Sequence, residues 1–240
     1  MQEVGHVLPQ NVLIMQEAED VPPQKELFYL PSRGTGEQLR WFFRAFDIPF
    51  KNTLVRFGTT PDQMIEEFFQ NQKWPLFVED GRVAMTHPGV IARSISKIFK
   101  LVPEDPFLAY KVEQVSDIVE DCFIISRPIV MDIVRADFLE GMMSVPEDAF
   151  SNLPVFASQI LGRYIEQLYG IMNEMEGDYI LGDKLTYADI TLAHIIDVWE
   201  ASLTLKFMDK YQEHFRAYKN KILSLPQLQQ WTTDNPLPIF

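Results

Sequence analysis

The stretch Glu26–Glu37, ELFYLPSRGTGE, is where the organisation of this chain is most readable. Leu27 to Leu30 alternate as a short buried strand does, with Leu27 and Tyr29 on one face and Phe28 and Leu30 on the other. Pro31 ends the strand, and Ser32, Arg33, Gly34, Thr35 and Gly36 form a small polar turn. Leu39, Phe42, Phe43 and Phe46 then recur at helical spacing, so a helix begins just past the turn. A strand that ends beside a helix N-terminus makes an anion site, because unpaired N–H groups and the helix dipole both favour negative charge there. Tyr29, at the strand end, carries a phenol hydroxyl to that spot. The plain alternative is a buried tyrosine whose hydroxyl is satisfied by a backbone carbonyl.

Downstream, Ile48–Phe57 reads as a second strand. Thr60-Pro61-Asp62-Gln63 is a helix start, with Thr60 as cap, Pro61 at the first helical position and Gln63 closing a capping box. A short helix over Asp62–Phe69 follows. Trp74–Met85 reads as a hairpin about Asp80-Gly81, and Pro88–Phe99 as a further helix. This small mixed sheet with helices packed on it closes by Leu101. Residues 102–106 (VPEDP) are a linker by composition, and everything beyond is helical. A long helix from Phe107 to about Ala136 should kink or break at Arg127-Pro128. Phe138–Asn152 reads as a loop, Leu153–Met175 as another long helix, and the Ile222–Trp231 stretch as a short final helix and turn.

A second informative stretch is Gly177–Ile190, GDYILGDKLTYADI. Thr186 is a strong N-cap, and Asp189 can reach back to its N–H, a capping box with Asp in the usual Glu/Gln place. The helix it starts is apolar nearly all round, with Ile190, Leu192, Ala193, Ile195, Ile196 and Val198, so it is central and buried. The motif reads as structural, not catalytic.

The totals narrow the class. A chain of 240 residues with 47% hydrophobic and 23% charged residues has ample core for one large or two small domains. A net charge of −13 argues against nucleic acid and against anionic membrane surfaces as partners. Cys122 is alone, so no internal disulfide framework or thiolate metal cluster is expected, and the residue reads as buried packing. No apolar run approaches a membrane span. Residues 1–25 carry Glu3, Glu17, Glu19 and Asp20 but neither Arg nor the apolar core of a signal peptide. They read as a flexible or docking extension of a soluble, cytoplasmic protein.

A strand–helix–strand–helix–hairpin–helix unit, a Pro-rich linker and a helical half carrying G-D-x-x-x-G-D-x-L-T-x-A-D-I together resemble the glutathione transferases. The match runs from Glu26 to about Pro236, and the Y-L-P-S-R-G-T-G-E pattern resembles the sigma class most. The resemblance implies a thioredoxin-like α/β domain over residues 26–101, a linker over 102–106, and an all-helical C-terminal domain over 107–236. It implies a homodimer that uses glutathione as co-substrate. By the same resemblance Tyr29 donates a hydrogen bond to the glutathione sulfur. Arg33 matches an arginine near the active site, or is an exposed turn residue. Pro75 matches the family's cis-proline, and Trp74 before it pairs with the cysteinyl part of glutathione.

The chain also departs from the pattern. Where the family has Gln or Glu followed by Ser for the γ-glutamyl carboxylate, one alignment places His87-Pro88 and another Thr86-His87. Pro88 has no N–H to offer, and serves as a good first helical residue. Asp62 and Glu66 stand where sigma members hold the glycyl end with Trp and Lys, and Lys73 stands where Gln is usual. Two carboxylates there would repel glutathione by about a kcal/mol or more. The resemblance implies a glutathione set of Arg33, Lys73, Trp74, Pro75, Thr86 and His87, with Ile124, Met131 and Ile133 around a pocket for a small hydrophobic electrophile. The alternative is a weakened or inactive member serving as a structural or assembly subunit, with the extension 1–25 and the 138–152 loop as contact surfaces. A thioredoxin-type redox enzyme fails for want of a Cys near the first turn.

Overall fold

The computed structural model describes residues 24–55, 74–140, 155–202 and 210–237, with the side chains at 82–84, 128–140, 155–158 and 202 left out. Lys25–Tyr29 (β1), Thr35–Ala45 (α1) and Lys51–Leu54 (β2) form a parallel β–α–β unit. Leu76–Glu79 (β3) pairs antiparallel with β1 and with Arg82–Thr86 (β4), giving the sheet order β2-β1-β3-β4. The β3–β4 turn has φ of 52° at Asp80 and 72° at Gly81, the two positive values that a tight two-residue hairpin turn demands. Pro88–Ile98 (α2) follows with its proline in the first turn.

β2 is shorter than its sequence suggests. The Ile48 N–H bonds back to the Phe43 carbonyl at 2.8 Å, closing the end of α1 and leaving nothing for a ladder. Pro49 has no N–H to give. At the other end Val55 still donates to the Tyr29 carbonyl at 2.8 Å.

The helical half comprises Pro106–Glu140 (α3), Val155–Met172 (α4), Tyr187–Ser202 (α5), Gln212–Leu223 (α6) and Pro226–Asp234 (α7). Asp105 caps α3, its carboxylate accepting from the N–H groups of Phe107 and Leu108 at 2.8 and 3.2 Å. The expected break at Arg127-Pro128 does not occur: α3 runs on to Glu140, so Phe138–Glu140 are helical and not loop. Proline removes one backbone bond, to the residue four before it. Here that is Ile124, whose residue surface is 58% exposed, so water can take the missing partner's place. The remainder of the expected loop lies outside the described residues. The sequence reading made this half helical but drew no separate α6, because its buried stripe is thin, only Phe215, Tyr218 and Ile222.

Helix α5 is buried along its length, as its apolar composition requires. Asp189 accepts from the N–H of Thr186 at 2.6 Å and of Ile180 at 2.8 Å. It also accepts from the hydroxyls of Thr186 and Tyr218. The Thr186 hydroxyl thus donates to Asp189 and makes no side-chain cap to the helix backbone, half of the expected box. One apolar cluster runs from Leu27 and Phe77 of the sheet, through α1, into α3, α4, α5, α6 and α7. Phe28, Val55, Leu76 and Val78 form a small second cluster on the sheet's opposite face. No helix among the described residues is long and apolar enough to cross a membrane.

Candidate functional site

Tyr29 ends β1 with its side chain buried beneath the turn that leads into α1. Its hydroxyl accepts a hydrogen bond from the Thr35 hydroxyl at 3.2 Å, a side-chain partner in place of the expected backbone carbonyl. The glycines of the turn permit this. A Cβ at Gly36 would lie 2.2 Å from Tyr29 Cγ and Cδ1, and one at Gly34 would lie 2.5 Å from the hydroxyl oxygen. The ring also has the Arg40 guanidinium 5.5 Å from its centroid. With one acceptor position filled by Thr35, the phenol proton is left to point elsewhere.

The turn itself is held by charges that the apolar helix pattern concealed. Arg40, wholly buried, donates to the carbonyls of Ser32 at 2.8 Å and Leu30 at 3.0 Å, and to Asn52 at 2.9 Å. It pairs with buried Glu37 at 3.0 Å. The other oxygen of Glu37 accepts from the indoles of Trp41 and Trp231, each at 2.9 Å. Arg33 turns to the helical half and pairs with Asp197 at 2.8 Å. Its backbone carbonyl takes a hydrogen bond from His194 Nε2 at 2.9 Å. Burial holds His194 below its ordinary value, opposed by the Arg33 carbonyl and by Asp197 and Glu37. Gln38 reaches Thr191 at 3.0 Å. Sequence reasoning missed Glu37, Arg40, His194, Asp197 and Trp231. The available signal was Glu37 and Arg40, two opposite charges three apart in a helix, set beside Leu39, Trp41, Phe42 and Phe43.

Other expected residues fall on the neighbouring loops. The Trp74–Pro75 bond is cis and leads directly into β3, next to β1. Thr86 ends β4, its hydroxyl 3.0 Å from His87 Nδ1. His87 has φ 70° and ψ 123° and precedes α2 without a side-chain cap. A non-glycine residue in that region costs on the order of 1–3 kcal/mol and is kept where its surroundings over-determine it, often at ligand sites. Lys73, Asp62, Glu66 and the Thr60–Gln63 helix start lie outside the described residues. Met131 and Ile133 are on α3 beyond the described side chains, and Ile124 is exposed. Burial pushes the Cys122 thiol upward, in keeping with its reading as packing. No cluster of metal-binding side chains occurs among the described residues.

Residues 134–235 match the family model for the glutathione S-transferase C-terminal domain. The chain is 24% identical over 214 residues to Glutathione S-transferase 1 of Ascaris suum, across 89% of this chain and 98% of that protein. It is 22% identical to human Glutathione S-transferase A1, across 86% of each. Among solved structures, NaGST-2 aligns with a TM-score of 0.72 at 23% identity, covering 91% of this chain and 100% of that one. Monomeric Na-GST-3 of Necator americanus aligns at 0.69 and 22%, covering 90% and 100%. The fold is the glutathione transferase fold: a thioredoxin-like sheet domain followed by a helical domain. In its fold and in its matched helical half the chain is similar to the glutathione transferases.

Proposed function

We propose that this protein is a glutathione transferase in which Tyr29 activates the thiol of glutathione. The observation that carries this reading is the Tyr29 hydroxyl, set at the end of β1 under the Gly34–Gly36 turn and receiving its bond from Thr35. A free thiol has a pKa of about 8.5, so only a few per cent is thiolate near neutrality. A hydrogen bond from the phenol to the sulfur, worth about 1.5–3 kcal/mol to a charged partner, lowers that value by roughly one to two units. The thiolate then attacks a small hydrophobic electrophile, in conjugation, isomerisation or peroxide reduction. In conjugation a bond forms from sulfur to the electrophilic carbon and the electrons of the broken bond leave with the departing group. Relatives named as glutathione S-transferases support this assignment.

Around that centre, Trp74 and the cis Pro75 offer backbone to the cysteinyl part, and Thr86 and the strained His87 serve the γ-glutamyl end, with Lys73 as a further member of the glutathione set. Arg33 serves by pinning the turn to α5 through Asp197. Ile124, Met131 and Ile133 border the electrophile. The sigma-class assignment rests on the Tyr29–Glu37 motif, since the relatives' names span several classes. The cytoplasm is the compartment that fits its single buried cysteine.

The protein is a homodimer in this reading. Val90, Ile98, Phe107 and Tyr110 are exposed apolar residues on α2 and α3. Arg93 holds those helices side by side through Glu113 at 2.6 Å and through Asp117. A second copy would cover that face.

A second reading, an assembly subunit without activity that uses the acidic extension 1–25 for docking, is favoured by one observation: α2 begins with Pro88, which has no N–H for a carboxylate. Calorimetric titration with glutathione separates the two. Binding between micromolar and low millimolar, with conjugation that falls roughly 10- to 100-fold in Tyr29→Phe, establishes the enzyme. No heat at several millimolar leaves the scaffold.

A further inference from the structure

At the far end of α1 from Tyr29, about 15 Å along the helix, a cleft of about 440 Å³ opens between the α1–β2 connection and α7. Its volume is in the lower part of the range of small-molecule sites. Phe43, Ile48, Pro49 and Trp231 give it an apolar floor, and Arg44, Asp47, Gln227, Gln230, Asp234 and Asn235 supply polar groups. Arg44 stands out. Its guanidinium lies 4.9 Å from the Phe50 ring centroid and 4.8 Å from that of Trp231, in the corner between two rings whose centroids are 6.4 Å apart, yet its buried Nε has no hydrogen-bond partner. No ion pair involves it among the described residues. The two rings fix the guanidinium in place, and it is the sole cationic group among the residues lining the cleft, a planar fork of N–H donors that suits a carboxylate.

The rest of the cleft sets a second requirement. Gln227 donates to Asp47 at 3.3 Å and Gln230 donates to Asp234 at 2.7 Å. Each carboxylate keeps acceptor capacity, and the carbonyl oxygens of both glutamines, which make no bond among the described residues, add more. One cation against two carboxylates would repel a simple anion. A ligand must therefore bring a carboxylate to Arg44 and N–H donors, positively charged, to Asp47 and Asp234.

We propose that this cleft is a second ligand site, for a zwitterionic amino acid or short peptide with an apolar side chain. The inference is independent of the reading at Tyr29. The test uses calorimetry on the full chain, with alanyl-phenylalanine as probe. 3-Phenylpropionate, which lacks the ammonium, and phenethylamine, which lacks the carboxylate, serve as half-ligands. The dipeptide is expected to bind in the low-millimolar range or tighter, and each half-ligand roughly tenfold or more weakly. Arg44→Met, which keeps the stacking stem, is expected to lower dipeptide affinity by about tenfold while leaving phenethylamine unchanged. Asp234→Asn, at an exposed position, should selectively weaken the ligands that carry an ammonium. No dipeptide binding to the unaltered chain overturns the proposal. So does wild-type affinity in both variants, which would move the dipeptide to some other site.

Discussion

At the scale of the residue, the candidate site depends on what is missing from Gly36 as much as on what Tyr29 carries. A methyl group there would sit 2.2 Å from the tyrosine ring, and neither a helix first turn nor the buried ring can move aside freely. Gly36→Ala is expected to cost about 1–3 kcal/mol of stability and to displace the hydroxyl. Denaturant titration and the conjugation assay, run on the same preparation, check both effects. A variant with wild-type stability and turnover would show that the turn does not position Tyr29. The tyrosine and its glycines were evident in the sequence as a strand–turn–helix signal. The Thr35 bond was not, since a hydroxyl's partner depends on where two rotamers meet across the turn.

His194 makes a pH prediction at the same scale. Burial in the folded protein holds its proton affinity down, whereas the unfolded chain takes up a proton below about pH 6.5. The unfolded state then binds more protons, so stability is full above that pH and falls as the solution is acidified through it. His214, also held low by burial, acts in the same direction. Unfolding free energy measured from pH 7.5 down to 5 should therefore decline, by at most about 1.4 kcal/mol per pH unit from this group. The decline should be shallower in His194→Gln. Parallel curves for the two proteins would remove His194 as the cause.

At the scale of the element, α5 shows how one carboxylate organises a helix start. Asp189 ties together Thr186, Ile180 and Tyr218 in the buried interior. Burial pushes its carboxyl upward, and those four donors pull against that. Asp189→Ala would strand two buried backbone N–H groups, a loss of about 3 kcal/mol or more. Chemical denaturation should show the unfolding free energy falling by that amount. A shift under about 1 kcal/mol would mean the box is dispensable. The helix and its cap residues were visible in the sequence because capping acts over three residues. The survival of α3 through Pro128 was not, because a local rule weighs one lost bond and cannot weigh the packing of the helix on either side. The thin stripe of α6 was hidden for the related reason that three buried residues in twelve are weak periodic evidence.

At the scale of the whole molecule, α1 is the joint. It packs between the sheet and helices α5 and α7, and its buried Glu37 and Arg40 link Trp231 at the chain's far end to the carbonyls beside Tyr29. The exposed apolar face of α2 and α3 gives a prediction that belongs here. Phe107→Glu, at a side chain 81% exposed, should convert a dimer to a monomer on sedimentation analysis without loss of fold. A protein that is already monomeric, as Na-GST-3 is described to be, would overturn the homodimer. By itself the sequence determined the order of the described strands and of the helices after β1 and β4, the hairpin turn, the Asp189 cap and Tyr29's place at a strand end, because each follows from spacing and backbone preference over a few residues. Only the tertiary structure decided that Arg33 serves α5, that Glu37 receives indoles from Trp41 and from Trp231, and that Arg44 lies against two rings with no hydrogen-bond or ionic partner among the described residues. Those are contacts between residues up to 194 positions apart, and no local pattern encodes which distant side chain will satisfy a buried charge.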